Sequence, residues 1–333
     1  MQRYIVSMAA SLLAFVMGYC VAAAANVSDD FSSEGPALAG FNGRTVVAWA
    51  GLAGVSDHAV WYTNLDGNPE RIPNAQTLFA PALGVAGQRL YLADTPPADD
   101  DKIRVYGWDG SAFQANGEDV CDGVTCAHTR ASPALLGDGA MLYAAWSTPA
   151  GEIRYASMIN GVWSIAALPI PNAITSPTTG PTLSLFQNQL YVAWVEPSGD
   201  AVSVAAATLP LTSSSWSGRG TIAAHTHVAP ALGVLAVPTA PNNPAEQYAL
   251  FVSWTTLEST ISFARWDSST VQWVPTDSPF PLPTGSLTSL APALSGFPTV
   301  SPNDVCFYTN YVAYTAEDTH VIHHTKQIRQ GCP

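Results

Sequence analysis

Leu190-Tyr191-Val192-Ala193-Trp194, with Pro181-Thr182-Leu183 ahead of it, is the stretch that decides the fold of this chain. The same pair of segments recurs six times. The first segment begins at Pro36, Pro81, Pro133, Pro181, Pro230 and Pro292. The second runs from Val46 to Trp49, Leu90 to Asp94, Leu142 to Trp146, Leu190 to Trp194, Leu250 to Trp254 and Tyr311 to Tyr314. The prolines are 45 to 62 residues apart, which is about the length of one four-stranded propeller blade.

Four short strands are predicted in each repeat. A proline opens the first strand, where its missing amide costs least, and an alternating second strand follows a Gly or Asn turn. An aromatic residue after a Gly or Ser turn marks the fourth strand, as in Asn160-Gly161-Val162-Trp163. The third strands are Ala59 to Thr63, Ile103 to Tyr106, Ile153 to Ser157, Val202 to Ala206, Ile261 to Trp266 and His320 to His324. This order predicts an antiparallel meander.

Both faces of each predicted sheet are apolar, so a sheet cannot bury them alone. Leu190, Val192 and Trp194 point to one face of the fourth sheet. Tyr191 and Ala193 point to the other. Sheets stacked face to face around a ring bury both sides, so we predict an all-β fold, a six-bladed β-propeller of four-stranded antiparallel blades. A parallel β-helix also stacks repeats, but its coils are shorter and lack hairpin turns.

The ends of the chain predict how the ring closes. The sixth repeat has no obvious fourth strand, and residues 26–31 precede the first repeat without belonging to a complete blade. We therefore expect the N-terminal segment to pair with the C-terminal strand, which leaves no open edge. Residues 26–333 then form one domain, and residues 112–126, 238–246 and 279–287 are expected to be surface loops. The repeat units start near Ser33, Leu78, Arg130, Thr178, His227 and Ser289.

The first 25 residues are typical of a signal peptide. Arg3 is followed by an apolar run from Tyr4 to Val21 and by the small residues Ala22 to Ala25. We expect cleavage after Ala25 and a secreted or periplasmic protein, with a retained membrane anchor as the alternative. No other segment of the sequence approaches membrane-spanning length.

The charge balance argues against nucleic acid as a partner. The chain has 12 Lys and Arg against 25 Asp and Glu, a formal net charge of -13. Such a chain repels phosphate backbones and anionic lipid surfaces. Its 47% hydrophobic content is enough to fill a core, so disorder is not expected.

Of the 5 cysteines, Cys20 would be removed with the signal peptide. An even number in an exported chain indicates disulfides. Three pairings are open, and we expect Cys121 with Cys126 and Cys306 with Cys332. The first would close a tight local loop, and the second would tie the C-terminus to the last repeat.

The repeated unit of Pro-Ala-Leu, turn, Leu-Tyr-Val-Ala-Trp, loop, Ile-x-Tyr and Gly-x-Trp resembles the repeats of secreted microbial β-propellers of the sialidase-like and lectin-like kind. The resemblance covers nearly all of the chain after residue 25. It implies a propeller that binds or cleaves carbohydrate. The sialidase Asp-box is absent from every repeat, and the arginine triad and Tyr-Glu pair of sialidases are not recognisable. These absences favour binding over hydrolysis.

Tryptophans are the first candidate ligand contacts. Trp49, Trp146, Trp194 and Trp254 end the second strands of four repeats. A pyranose ring lays its C-H face on an indole while nearby polar groups bond its hydroxyls. The alternative is that these rings form the core between blades, because they alternate with apolar residues on a buried strand.

The loops that lead into the repeat prolines supply the second set of candidates. They differ between repeats while the strands do not. They carry His128, Arg130, His225, His227 and Glu34, which we expect around one rim. Such a rim would suit a polar or anionic small ligand, and scattered solvated loop residues are the alternative.

No metal or cofactor is expected. His225 and His227 would share one face of an extended segment, but no sequence rule brings His128 within ligand distance of them. Calcium at Asp99-Asp100-Asp101 is a weaker interpretation, since adjacent aspartates without glycine are more typical of a solvated turn.

Three functions stay open. The first is a binding protein for carbohydrate or a cell-surface glycan, without enzyme activity. The second is a glycoside hydrolase at the mouth of the central channel, with Glu34 and Asp94 as the acids. Asp94 is singled out because it stands where four other repeats have Trp. The third is a cell-surface scaffold for protein interactions.

Overall fold

The computed structural model describes most of the chain, and its regular structure there is β-strand throughout. The described residues are 23–32, 34–51, 58–64, 67–97, 101–166, 169–209, 216–237, 248–279, 282, 287–300, 306–317 and 319–330. Residues 1–22 lie outside them, so the signal peptide stays a prediction. Within the described residues, no helix is long and apolar enough to cross a membrane.

The strands form six antiparallel sheets of four strands, which confirms the predicted blade count. Blade 1 has β2 (Ala37–Phe41), β3 (Arg44–Ala50), β4 (Ala59–Asn64) and β5 (Glu70–Gln76), and blade 2 has β6 (Ala82–Ala86), β7 (Arg89–Asp94), β8 (Arg104–Gly107) and β9 (Glu118–Asp119). Blade 3 has β10 (Ala134–Asp138), β11 (Met141–Ser147), β12 (Ile153–Ile159) and β13 (Val162–Ile165), and blade 4 has β14 (Thr182–Phe186), β15 (Gln189–Val195), β16 (Ala201–Thr208) and β17 (Trp216–Ala223). Blade 5 has β18 (Ala231–Ala236), β19 (Tyr248–Thr255), β20 (Ile261–Asp267) and β21 (Gln272–Thr276), and blade 6 has β22 (Ala293–Val300), β23 (Cys306–Thr315), β24 (Val321–Gln330) and β1 (Ala23–Phe31).

The repeated Pro-Ala-Leu segments lie at the centre of the molecule. All six line one axial channel of about 140 Å³. The innermost strand of each blade contacts the innermost strands of both neighbouring blades, including β2 with β22. The blades therefore form a closed ring rather than an open stack.

The alternation along β15 buries both of its faces. Leu190, Val192 and Trp194 pack in one core cluster with residues of blade 3. Tyr191 and Ala193 pack in another cluster with residues of blade 5. Both faces of the blade are thus covered by its neighbours, as the sequence pattern predicts. Burial of this apolar area is the main stabilising contribution to the fold.

Strand β1 completes the sixth blade. It pairs with β24, with Ala25 opposite His324, and is the outermost strand of that sheet. This confirms the predicted pairing of the two chain ends. The strand begins at Ala23, three residues before the expected mature start at Asn26. Cys332 lies outside the described residues, so its pairing with Cys306 stays a prediction.

The outer part of blade 2 departs from the expectation. Residues 112–126 were expected to form a surface loop, but Glu118 and Asp119 pair with Val105 and Arg104 as the fourth strand. Phe113 is also buried among core residues. The strand has only two residues, too few for a period to show in the sequence. The Cys121–Cys126 disulfide is present, with Cα atoms 4.1 Å apart, as predicted.

A buried Ser or Thr fixes each connection into a repeat proline. These residues are Ser32, Thr77, Thr129, Thr175, Thr226 and Thr288. Each donates its backbone N-H to a carbonyl in the loop between the second and third strands of a blade, on His320, His58, Asp101, Gly151, Gly199 and Ser259 respectively. All six acceptor residues have a positive φ. Each repeat therefore includes a hydrogen bond between two loops that the apolar pattern did not reveal.

The hydroxyl of Thr77 is also an acceptor. It accepts from the backbone N-H of Phe79 at 3.2 Å and of Thr95 at 3.4 Å, and it donates to the carbonyl of Phe79 at 2.9 Å. Ser32, Thr129 and Thr288 bond the residue two positions further on in the same way. Such turns satisfy backbone groups that the strands leave unpaired.

We expect Thr77→Val to lower the free energy of unfolding by about 1 to 3 kcal/mol, because buried N-H groups lose their acceptor. Thr276→Val, at an exposed position on the outermost strand of blade 5, is the matched control and should change it by less than about 0.5 kcal/mol. Urea denaturation measures both values. Equal effects of the two substitutions would show that the buried hydroxyl is not part of what holds the ring.

Candidate functional site

The four tryptophans expected to bind ligand lie between the blades. Trp49 and Trp146 are 2% exposed, and Trp194 and Trp254 are 5% exposed. Trp49, Trp146 and Trp254 pack in core clusters and line no described cavity. Their ring faces are therefore not available to a sugar, and the core interpretation fits these three. Of the four, Trp194 lines a surface cavity.

The five loop candidates are not brought into one cluster. Arg130 is exposed and pairs with Asp101 at 2.8 Å, a hydrogen bond that raises the pKa of its guanidinium. His225 is exposed and its Nδ1 lies 3.4 Å from Asp200. His128 and Arg130 lie on the connection into blade 3, whereas His225 and His227 lie on the connection into blade 5. The candidates therefore share one face of the ring but are spread around it.

No group of three or more potential metal ligands occurs among the residues that the structure describes. Asp99 and Asp100 lie outside those residues, so the calcium interpretation is not addressed there. Asp101 is engaged with Arg130.

The two candidate acids occupy different environments. Asp94 is fully buried on the face of blade 2 that packs against blade 1, next to Tyr106. Burial, and then the charge of Asp94, raise the pKa of the Tyr106 hydroxyl. A glycosidic oxygen could not reach a carboxylate buried in this way. Asp94 thus takes the place of a core Trp in a buried polar contact.

Glu34 lies where the ring closes, between blades 6 and 1. Its carbonyl accepts hydrogen bonds from Thr315 Oγ1 at 2.9 Å and Ser32 Oγ at 2.8 Å. The next residue, Gly35, packs so closely on the Ala291 carbonyl that a Cβ at this position would clash with the carbonyl oxygen. Burial raises the pKa of the Glu34 carboxyl from its ordinary value of 4.5 to about 7. Glu34 therefore links blades 6 and 1, and its carboxyl keeps its proton up to about neutral pH.

We expect Glu34 to make stability fall as pH rises. A raised pKa means that the folded chain holds the proton more tightly, so stability is lost between about pH 4.5 and pH 7 as the carboxyl ionises. At pH 8, the free energy of unfolding of Glu34→Gln, measured by urea denaturation, should therefore exceed that of the wild type by about 1 to 3 kcal/mol. At pH 4 the two values should differ little. Glu317→Gln, at an exposed position in blade 6, is the control. An unchanged pH profile in Glu34→Gln would contradict this assignment.

A cleft between blades 1 and 2 combines aromatic and polar side chains. It measures about 350 Å³ and opens on the face that carries the turns between first and second strands. We call it the turn-face cleft. Its side chains come from Phe41, Asn42, Arg44, Val46, Tyr62, Asn64, Leu90 and Trp108.

Local sequence places Arg44 at the mouth of this cleft. Asn42 and Gly43 both have a positive φ, 50° and 71°, as a tight two-residue hairpin turn requires. The turn returns the chain so that Arg44 is the first residue of β3, where it is exposed. The side chain of Arg44 makes no hydrogen bond or ion pair to any other described residue. Its guanidinium is therefore free to donate to a ligand.

Three aromatic rings support the wall of the cleft. Tyr62, Trp108 and Phe113 pack edge to face, with centroids 5.0 to 5.6 Å apart. The Tyr62 hydroxyl donates to Glu70 Oε2 at 2.5 Å. Burial and this bond raise the pKa of the Tyr62 hydroxyl. These contacts fix the rings before any ligand binds.

Trp108 is held from both sides. Its carbonyl accepts from Arg89 Nε at 2.9 Å. The next residue, Asp109, accepts from the backbone N-H groups of Ala112 and Ser111 at 3.0 and 2.8 Å, which lowers the pKa of its carboxyl. The Trp108-Asp109-Gly110 segment is thus a capped turn that presents a partly buried indole.

A second hollow of about 490 Å³ adjoins the turn-face cleft. The two share Phe41, Asn42, Trp108 and Gly110. Gln88, Arg89 and Asp109 complete the second hollow. The joined surface therefore offers indole and phenyl faces beside amides, two guanidinium groups and a carboxylate.

Sequence reasoning did not identify this site. Arg44, Tyr62 and Trp108 come from two repeats and lie on the face opposite the loops that lead into the repeat prolines. Two signals were available in the sequence. Asn42-Gly43 is a strong turn pair, and the exposed Arg44 follows it directly.

A separate cavity lies between blades 3 and 4 and measures about 390 Å³. We call it the flank cavity. It is lined by Trp194, Glu196, Ser203 and Trp216, and by Asn172 from the connection after blade 3. Its residues do not correspond to those of the turn-face cleft, so the two cavities are not copies of one repeated site.

Comparison with known proteins finds the same fold in several solved lectins. The sequence matches no protein-family model and no curated protein. AofleA from Arthrobotrys oligospora aligns with a TM-score of 0.63 at 11% identity, covering 93% of this chain and 89% of that one. SapL1 lectin, solved with α-methyl fucoside, aligns at 0.59 and 14% over 89% and 96%.

The lectin of Aleuria aurantia, a fungal six-bladed β-propeller, aligns with a TM-score of 0.56 at 14% identity, covering 91% of this chain and 96% of the lectin. At these identities the similarity shows the fold alone. The lectin-like resemblance found in the repeats is confirmed at that level. The sialidase-like part of it has no support from these structures.

Proposed function

We propose that this protein binds carbohydrate and that a sugar occupies the turn-face cleft between blades 1 and 2. The observation that carries the proposal is the convergence of Phe41, Tyr62 and Trp108 with the unpaired guanidinium of Arg44. Aromatic faces next to hydrogen-bond donors are the chemistry by which proteins hold pyranose rings.

The aromatic wall supplies the apolar half of the site. Phe41 and Trp108 are partly buried and keep part of their rings exposed to the cleft. Because Tyr62 and Phe113 already hold Trp108 in place, little conformational entropy is lost on binding. A C-H face of a sugar stacked on Trp108 would remove apolar surface from water on both partners.

The polar groups supply orientation. Arg44 donates hydrogen bonds, and the amides of Asn42 and Asn64 both donate and accept. Adjacent sugar hydroxyls, each a donor and an acceptor, match such a set. A cavity of about 350 Å³ is close to the lower end of the range for small-ligand sites, so we infer that one or two sugar units fit.

The fold similarity guides the choice of probe. SapL1 lectin was solved with α-methyl fucoside, and the Aleuria aurantia lectin is described as fucose-specific. An L-fucoside is therefore the first sugar to test in this chain. We further propose that the chain is exported through residues 1–25, since such a route would bring the cleft to cell-surface glycans.

The test is calorimetric titration with a panel of methyl glycosides that includes α-methyl L-fucoside. We expect at least one glycoside to bind. Trp108→Ala and Arg44→Ala should each lower the affinity for that glycoside 10-fold or more. Arg265→Ala removes an exposed arginine of blade 5, away from the cleft, and should leave affinity unchanged. Thermal unfolding of each variant checks that the ring stays intact.

The proposal fails if no glycoside and no glycan on an array binds the folded protein. It also fails if Trp108→Ala and Arg44→Ala bind as the wild type does, because the ligand would then sit elsewhere. Capture of a protein partner that sugars do not displace would favour the scaffold function instead.

A further inference from the structure

We propose that the flank cavity between blades 3 and 4 is a second site that binds a protonated amino sugar through Glu196. This inference deepens the proposed carbohydrate function and rests on it for the ligand class. It rests on the geometry of one carboxylate, two indole rings and a part of the cavity wall where a glycine leaves space for a ligand.

The carboxylate of Glu196 is held in place. Its backbone N-H donates to the Ala201 carbonyl at 2.9 Å, and its own carbonyl accepts from Gly199 at 2.8 Å. The Ser203 hydroxyl donates to Glu196 Oε1 at 2.6 Å. Both residues line the cavity. One carboxylate oxygen is thus fixed by the protein and the other stays open to a ligand.

Among the residues that the structure describes, none brings a compensating positive charge to the cavity. No Lys, Arg or His lines it, and Glu196 makes no ion pair within the part of the chain that the structure describes. A cation held by a positioned carboxylate forms a charge-assisted hydrogen bond, which is stronger than a neutral one. The site therefore lacks the positive group that a ligand would supply.

The only cation of β17 is directed away from this cavity. Arg219 donates from Nη2 to Gln189 Oε1 at 3.3 Å and also interacts with Tyr191. Tyr191 packs toward blade 5, the face opposite Trp194. A bulge at this point, where the pairing of β16 with β17 shifts between Ser203 and Ala205, re-aims the side chain.

Gly218, next to Arg219, opens the wall of the cavity. A Cβ at this position would meet no atom within 4 Å. A ligand can thus approach the backbone of β17 closely. The bulge therefore directs the Arg219 side chain away from the cavity and leaves space beside β17 for a ligand.

Two indoles form the apolar part of the site. Trp194 and Trp216 are 5% and 9% exposed and both line the cavity. The ring of Tyr155 packs against Trp216 with centroids 5.4 Å apart. Indole faces attract cations as well as the C-H groups of a sugar ring. An amino sugar carries both features, whereas a neutral hexose carries only the second.

Glu196 belongs to the fourth repeat alone. The residue two positions after the end of the second segment is Gly51, Pro96, Thr148, Thr256 or Ala316 in the other repeats. The carboxylate is therefore not required by the blade itself. A charged residue that the fold does not need, facing a cavity, is best explained by a ligand.

The experiment is titration at pH 6 with D-glucosamine, N-acetyl-D-glucosamine and D-glucose, followed by calorimetry and tryptophan fluorescence. We expect glucosamine to bind at least 10-fold more tightly than the other two. Glu196→Gln should remove this preference, and 0.5 M salt should weaken it. Glu258→Gln, in the matching hairpin of blade 5 and exposed, should behave as the wild type.

Equal binding of glucosamine and N-acetyl-D-glucosamine, or full glucosamine binding by a folded Glu196→Gln variant, would overturn the assignment. The two sites are separated with Trp108→Ala. If this variant keeps the glucosamine response while other sugars are lost, both proposals stand. If glucosamine never binds but a neutral glycoside binds through Trp108, only the flank site fails.

Discussion

Burial of both faces of every sheet is the constraint on which this structure depends. Each blade is apolar on two sides, as β15 shows with Trp194 on one side and Tyr191 on the other. Exposing either face to water would cost more free energy than the folded state could lose. A closed ring covers all of them, and β1 pairing with β24 completes the sixth sheet. The repeat pattern, the blade count and the joining of the chain ends all follow from that one requirement.

The same constraint decides where binding sites can form. Strand interiors are committed to packing, so Trp49, Trp146 and Trp254 belong to the core. Variation is left to turns and to the outer parts of the blades, where clefts open between neighbours. The turn-face cleft and the flank cavity arise in this way and carry opposite charge, one with Arg44 and the other with Glu196. Unequal repeats thus produce unequal sites on one regular frame.

Sequence reasoning recovered the frame because its signals are local and repeated. The alternation around Trp194 and the spacing of the prolines were enough to predict six blades. The missing fourth strand of the sixth repeat predicted that the two ends of the chain pair. The sites are different, since Arg44 and Trp108 come from separate repeats and meet only through packing. Glu118-Asp119 is too short a strand to show a period. The buried Ser or Thr before each repeat proline was visible in the sequence, but its role depends on a carbonyl from another loop.

The most direct measurement is a crystal structure of the protein soaked with the glycoside that binds it best. The account predicts density for a sugar between blades 1 and 2, with its ring against Trp108 and hydroxyls within hydrogen-bond distance of Arg44. Density in the axial channel, or on the opposite face beside Arg130 or His225, with the turn-face cleft empty, would contradict it.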